Sequence, residues 1–169
     1  MSGVSLARSR SSTSRLAIAI AALVIALDQL SKWWIVALVM RPPRIVPLAP
    51  FLNMALALNR GVSFGMLRLE RPWGPWLLST LALAVVAWLF LWQRRAQSRW
   101  ISASVGLIAG GALGNVVDRV FRHAVVDFID AHLSTYHWPA FNLADSAITI
   151  GVVLLLWEAL LRRAGGTGR

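Results

Sequence analysis

The sequence predicts an all-α membrane protein, a four-transmembrane-helix bundle with a small extracytoplasmic β-structure between helices one and two. Three observations carry this. Of the 169 residues, 57% are hydrophobic and nine are Trp, which is too apolar for an ordinary soluble domain. Long apolar stretches lie at 16–40, 73–93, 100–117 and 143–161, each long enough to cross about 30 Å of hydrocarbon as a helix rising about 1.5 Å per residue. Between the first two stretches lies a segment of different character, short apolar runs separated by turn residues.

Taken in order, residues 1–15 are rich in Ser and Arg and are expected as a disordered cytoplasmic tail. Residues 16–163 form a single transmembrane domain, and 164–169 a second cytoplasmic tail. The first stretch follows Arg8, Arg10 and Arg15 as a signal peptide would. However, it carries Asp28 and Lys32 and ends in Met40-Arg41-Pro42-Pro43 with no small-x-small cleavage site, so it is expected as an uncleaved first span. The prolines stop it, because they lack the donor a helix interior needs. Residues 45–70 hold the β-structure: Ile45-Val46-Pro47-Leu48, then Phe51 to Leu58, then a turn at Asn59-Arg60-Gly61. Helix two opens at Trp73-Gly74-Pro75-Trp76, an aromatic interface signal, and stops before Arg94-Arg95. The connection 94–99 allows only a tight hairpin into helix three. That helix contains Gly106, Gly110, Gly111 and Gly114, and the 110/114 pair matches the Gly-x-x-x-Gly spacing that permits close helix approach. Asn115, Asp118 and Arg119 are expected at its end. A loop of about 20 residues then carries Asp127, His132 and His137, and helix four begins near Asn142.

Charge sets the orientation. Nine Arg fall in 1–15, the 94–99 hairpin and 162–169, against seven in 41–72 and 119–141. The density in the short hairpin places both termini in the cytoplasm. A net charge of +10 raises the question of nucleic acid, but the Arg residues sit between hydrophobic spans and not on one basic face. Anchoring to anionic membrane lipids accounts for them, and no nucleic acid is expected. Cysteine is absent, which removes disulfides, thiol nucleophiles and thiolate metal sites.

Only seven residues are Asp or Glu, and a carboxylate at the edge of a bilayer is expensive to ionise. Asp127 and Asp145 flank one loop and therefore lie at the same membrane face. Two readings stand. As a dyad, one ionised carboxylate activates water while the other, protonated, polarises a scissile carbonyl. Alternatively Asn142-x-x-Asp145 caps helix four and complements its dipole, and Asp127 is a solvated loop residue. Asp28 and Lys32, spaced i, i+4, share a helix face and are expected as a structural ion pair, with a proton relay as the alternative. Asn115, Asp118 and Arg119 could serve structure or substrate. His123, His132 and His137 lack a converging metal spacing, so no metal and no other cofactor is expected. No Gly-x-Ser-x-Gly elbow occurs. A small proton-coupled transporter and a non-catalytic scaffold built on the glycine face are the rival classes. The first lacks visible inverted repeats.

Five boxes, in order, resemble the lipoprotein signal peptidases, the type II signal peptidases of bacteria. They are Leu27 to Lys32, Asn59 to Gly65, Gly110 to Arg119, Val125 to Phe128 and Phe141 to Ile148. The resemblance covers the chain from about 16 to 162. It implies an intramembrane aspartic endopeptidase of the bacterial inner membrane with its active site towards the extracytoplasmic face. Such an enzyme removes signal peptides from prolipoproteins by cutting N-terminal to a diacylglyceryl-modified cysteine. Asp127 and Asp145 fall on the family's catalytic pair. Asn59, Gly61, Asn115, Arg119 and Asn142 fall on substrate-binding or supporting positions, with Asp28 and Lys32 beside them. The implied partners are diacylglyceryl-modified prolipoproteins and membrane lipids, and the protein is expected to be monomeric. Arg60 fills a variable turn position, and the segment Leu67 to Trp73, bordering the β-structure, is short for a lid.

Overall fold

Between Gly3 and Pro42 the chain contains neither glycine nor proline, so nothing interrupts a helix. In the computed structural model, which describes residues 3–61, 73–94 and 98–166, α1 accordingly runs Gly3–Trp34 and continues as one π-helical segment, Ile35–Val39. Met40 N–H closes on Ile35 O at 2.9 Å before the prolines intervene. Residues 3–15, expected as a disordered tail, extend α1 instead. Helix α2 is Gly74–Gln93, with Pro75 in its first turn where a missing N–H is harmless. Helix α3 is Arg99–Arg122 and α4 is Leu143–Gly166. Among the described residues, four spans are long and apolar enough to cross a membrane: Thr13–Val39, Gly74–Gln93, Arg99–Arg122 and Leu143–Arg162. Their outward faces carry exposed Trp88, Leu91, Trp157 and Leu160, a surface suited to lipid. The lid-like segment expected at 67–73 lies, apart from Trp73, outside the described residues, as do the middle of the 94–99 hairpin and the end of the 45–70 segment.

Helix α3 does not end at Asn115, Asp118 and Arg119 as expected but continues to Arg122, where His123 takes a left-handed φ of 56° as the C-cap. Asn115, Asp118 and Arg119 therefore lie within the helix. No glycine or proline falls between Asn115 and His123, and the polar side chains that suggested an end find partners inside the protein.

Helix α3 is the most buried of the spans and packs against α1, α2 and α4. Its glycines make this possible. A Cβ on Gly110 would lie 2.7 Å from Val24 Cβ of α1, and one on Gly111 would lie 2.3 Å from Ala144 O of α4. The Gly-x-x-x-Gly face is thus used within the chain, between its own helices.

Strands β1 (Val46–Ala49) and β2 (Leu52–Asn59) form the expected hairpin. The 119–141 region is not a plain loop. It contains β3, Val125–Leu133, and β4, Tyr136–His137, and the sheet order is β1-β2-β3-β4, all antiparallel. Val125-Val126-Asp127-Phe128 is buried on every residue, as a strand covered on both faces is, and so shows no alternation. The sheet sits on the end of α1: Phe128 clusters with Ile35 and Met40, with Val46, Met54 and Leu56 packed around them. A bulge in β2 between Met54 and Ala57 shifts the register and sets Ala57 opposite Asp127.

Candidate active site

Asp127 is carried by β3 and Asp145 by the first turn of α4, and Asn142 brackets them. Its side chain Nδ2 donates to Asp127 Oδ1 at 2.7 Å, while its backbone N–H donates to Asp145 Oδ2 at 3.3 Å. In return Asn142 Oδ1 accepts from Asp145 N at 2.9 Å. This is a reciprocal helix cap, the bland reading of Asn142-x-x-Asp145. The cap and the dyad are therefore not alternatives, because the cap holds one carboxylate in place. The other half of the bland reading is wrong: Asp127 is 1% exposed and is no solvated loop residue.

Each carboxylate is also held from a second direction. Asn59 Nδ2, at the end of β2, donates to Asp127 Oδ2 at 3.0 Å, and Gly61 N donates to Asn59 Oδ1 at 3.1 Å, so the Asn59-Arg60-Gly61 turn orients the amide. Asn115 Nδ2, from α3, donates to Asp145 Oδ1 at 2.9 Å. Half-buried Arg119 acts by charge on Asp145, Asp127 and Asp118. Burial first, and then the charge of Asp145, push the Asp127 carboxyl up to about 6, against the hydrogen bonds from Asn59 and Asn142. One carboxyl of the pair thus keeps its proton into a range useful for acid–base work. A cavity of about 590 Å³ opens beside Asp145, walled by Trp138, Phe141, Ser146, Ile148 and Thr149.

Asp28 and Lys32 pair as expected, at 2.8 Å and fully buried. The expectation was incomplete, because Lys32 Nζ also bridges to Asp118 Oδ2 at 2.7 Å. Asp118 in turn pairs with Arg122 and accepts from Gln29 Nε2. The sequence does not predict Asp118 as a partner of Lys32, nor Gln29 as a donor to Asp28 and Asp118. A signal existed: Asp118 is four residues after Gly114 on the same face of α3, and a Cβ on Gly114 would meet Asp28 Oδ2 at 2.7 Å. The histidines find other roles. His137 Nδ1 lies 2.8 Å from Asp130 Oδ1, His132 stacks on His137 with centroids 5.0 Å apart, and His123 meets Trp76 edge-on.

Residues 20–161 match the family described as signal peptidase (SPase) II. A lipoprotein signal peptidase of Azoarcus sp. is 45% identical over 86% of this chain and 82% of its own length. One from Polynucleobacter necessarius is 44% identical over 88% and 91%. Among solved structures, a bacterial membrane enzyme determined by the in meso method at 2.3 Å resolution superposes with a TM-score of 0.79. The two are 29% identical, and the match covers 90% of this chain and 92% of that one. The chain belongs to the signal peptidase II family.

Proposed function

We propose that Asp127 and Asp145 are the catalytic pair of this aspartic endopeptidase, and that the cut falls N-terminal to the diacylglyceryl-modified cysteine. The chain is a multi-pass membrane protein that removes signal peptides from prolipoproteins. The observation that carries the assignment is the Asn142 bracket, which joins two carboxylates anchored, among the described residues, by neutral amides and the charge of half-buried Arg119. Neither carboxylate forms an ion pair among the described residues, so one proton can be shared between them.

The reaction follows from that asymmetry. Ionised Asp145 takes a proton from a water molecule, whose oxygen attacks the scissile carbonyl carbon. Protonated Asp127 donates to the carbonyl oxygen, giving a neutral tetrahedral diol. Asp145 then passes its proton to the leaving nitrogen, Asp127 recovers one from a diol hydroxyl, and the C–N bond breaks to release acid and amine. Arg119 offsets negative charge at the pair.

The substrate's lipid explains the site's position. Each buried CH₂ is worth about 0.8 kcal/mol, so a diacylglyceryl chain stays in the bilayer and the enzyme must bring water and carboxylates to it. The cavity beside Asp145 continues along α4 past Ile148, and the sheet covers the same end of the bundle, where it can guide the peptide. The charge distribution supports an inner-membrane location with both termini cytoplasmic and the site extracytoplasmic. In this reading the protein acts as a monomer in contact with membrane lipids. The test is cleavage of a diacylglyceryl-modified prolipoprotein by purified protein in detergent. Asp127→Asn and Asp145→Asn should each be inactive while folded, and substantial turnover by either removes the assignment.

A further inference from the structure

We propose that Lys32 is a positioning residue for the reaction, because its ammonium locks the side-chain amide of Asn115 in the orientation that donates to Asp145. This rests on reading Asp127 and Asp145 as the catalytic pair. Lys32 is fully buried; its ammonium donates to Asp28 Oδ2 at 2.8 Å and to Asn115 Oδ1 at 3.1 Å, and pairs by charge with Asp118 Oδ2 at 2.7 Å. The far end of the same amide, Nδ2, lies 2.9 Å from Asp145 Oδ1. An ammonium only donates and an ionised carboxylate only accepts. A flipped Asn115 would set N–H against ammonium and oxygen against carboxylate, so Lys32 fixes which end faces Asp145.

No neighbour can replace it. Asn142 Nδ2 also reaches Asn115 Oδ1, at 3.3 Å, but its two hydrogens face three acceptors, and Asp127 Oδ1 at 2.7 Å and Val126 O at 3.3 Å compete. The two anions beside Lys32 reach the same pair through the backbone. Asp28 Oδ1 accepts from the N–H of Ala144, next to Asp145, at 3.1 Å. Asp118 Oδ2 accepts from the N–H of Val126, next to Asp127, at 3.2 Å. Lys32 holds both anions, so the buried charges grip α4 and β3 one residue short of each catalytic carboxyl.

The test compares kcat and KM on the folded fraction, with a diacylglyceryl-modified prolipoprotein as substrate. The first variant is Asp28→Asn with Lys32→Met, which leaves no charge unpaired there and keeps an oxygen for the Ala144 N–H. The second is Asn115→Leu, which keeps every charge: Lys32, Asp28 and Asp118 in the cluster, and Arg119 and Asp127 facing Asp145. Both should lower kcat about 10- to 100-fold, as small misplacements of reacting groups do, with KM within about twofold. Combining them should lower kcat no further than Asn115→Leu alone, because both act through the Asn115 amide. A folded Asp28→Asn/Lys32→Met protein with wild-type kcat overturns the proposal. If that variant does not fold, Asn115→Leu decides alone, and a wild-type kcat overturns it. Asp127→Asn and Asp145→Asn, run alongside, separate the two readings. Turnover in either removes the pair itself, whereas inactive pair variants beside a wild-type kcat in the deciding variant remove only the role of Lys32.

Discussion

Two pairs of carboxylates lie at one end of this bundle, and they differ in what stands between them. Asp28 and Asp118 share Lys32, which contacts both within 3 Å. Asp127 and Asp145 are joined by Asn142, a neutral amide. The first pair shares a cation that compensates both charges. The second makes no such ion pair among the described residues, and Asp127 is pushed up to about 6 by burial and by Asp145. In the proposed reading, what separates a structural carboxylate pair from a reactive one is the group bridging it, since Asp28, Asp118 and Asp127 are all at most 1% exposed.

The largest expected effect is on rate. Asp127→Asn or Asp145→Asn should lower kcat by roughly a thousandfold or more, since each acts only with the other. The corresponding change in the compensated pair should act on stability. Lys32→Met leaves Asp28 facing Asp118 with no cation between them and should destabilise by about 3–5 kcal/mol. Asp28→Asn added to it should restore part of that loss. Thermal unfolding of the four proteins in detergent checks this, and strictly additive effects would mean the two residues do not form a unit.

The two pairs should also respond to neutralisation with opposite signs. The Asp127 carboxyl rises from an ordinary 3.8 to about 6 on folding, so the folded state holds its proton more tightly than the unfolded chain does. Ionising it between about pH 4 and pH 6 therefore lowers stability as pH rises. At roughly 1.36 kcal/mol per pH unit this amounts to about 3 kcal/mol at most. Asn has no proton to lose, so inactive Asp127→Asn should be the more stable protein above pH 6 and should lose that advantage below about pH 4. The gain should be partial, because an amide at 127 sets a donor against Asn59 or Asn142, both of which now donate there. A melting temperature at pH 7.5 lower than the wild type's would break the contrast between the pairs.

Smaller still is Asn59→Ala, which removes one of the two side-chain donors on Asp127. It should lower kcat about tenfold and raise the pH at which Asp127 loses its proton, since a hydrogen bond to the charged form is lost. The smallest expected effect is none: chelators should leave turnover intact, because water and two carboxylates complete the chemistry. Loss of activity with EDTA, restored by zinc, would place the His137–Asp130 pair in a different light.

The four spans, the β1–β2 hairpin and the turn at Asn59-Arg60-Gly61 were legible in the sequence, because each depends on local properties: apolar length, breakers and turn chemistry. The identity of the carboxylates was legible too, since a charged residue stands out in an apolar chain. The strand through Asp127 was harder, because burial on both faces erases the alternation that marks a strand, and its partner β2 lies some 70 residues earlier. Tertiary structure alone decided what each carboxylate does. Asp118 and Asp127 are both acidic residues near the end of the third span. One lies within 3 Å of a lysine from α1 and the other does not. That difference arises because the glycines of α3 let α1 and α4 approach closely enough to place charges from distant segments in contact. Coulomb energy depends on distance and dielectric, and neither is written in the order of residues.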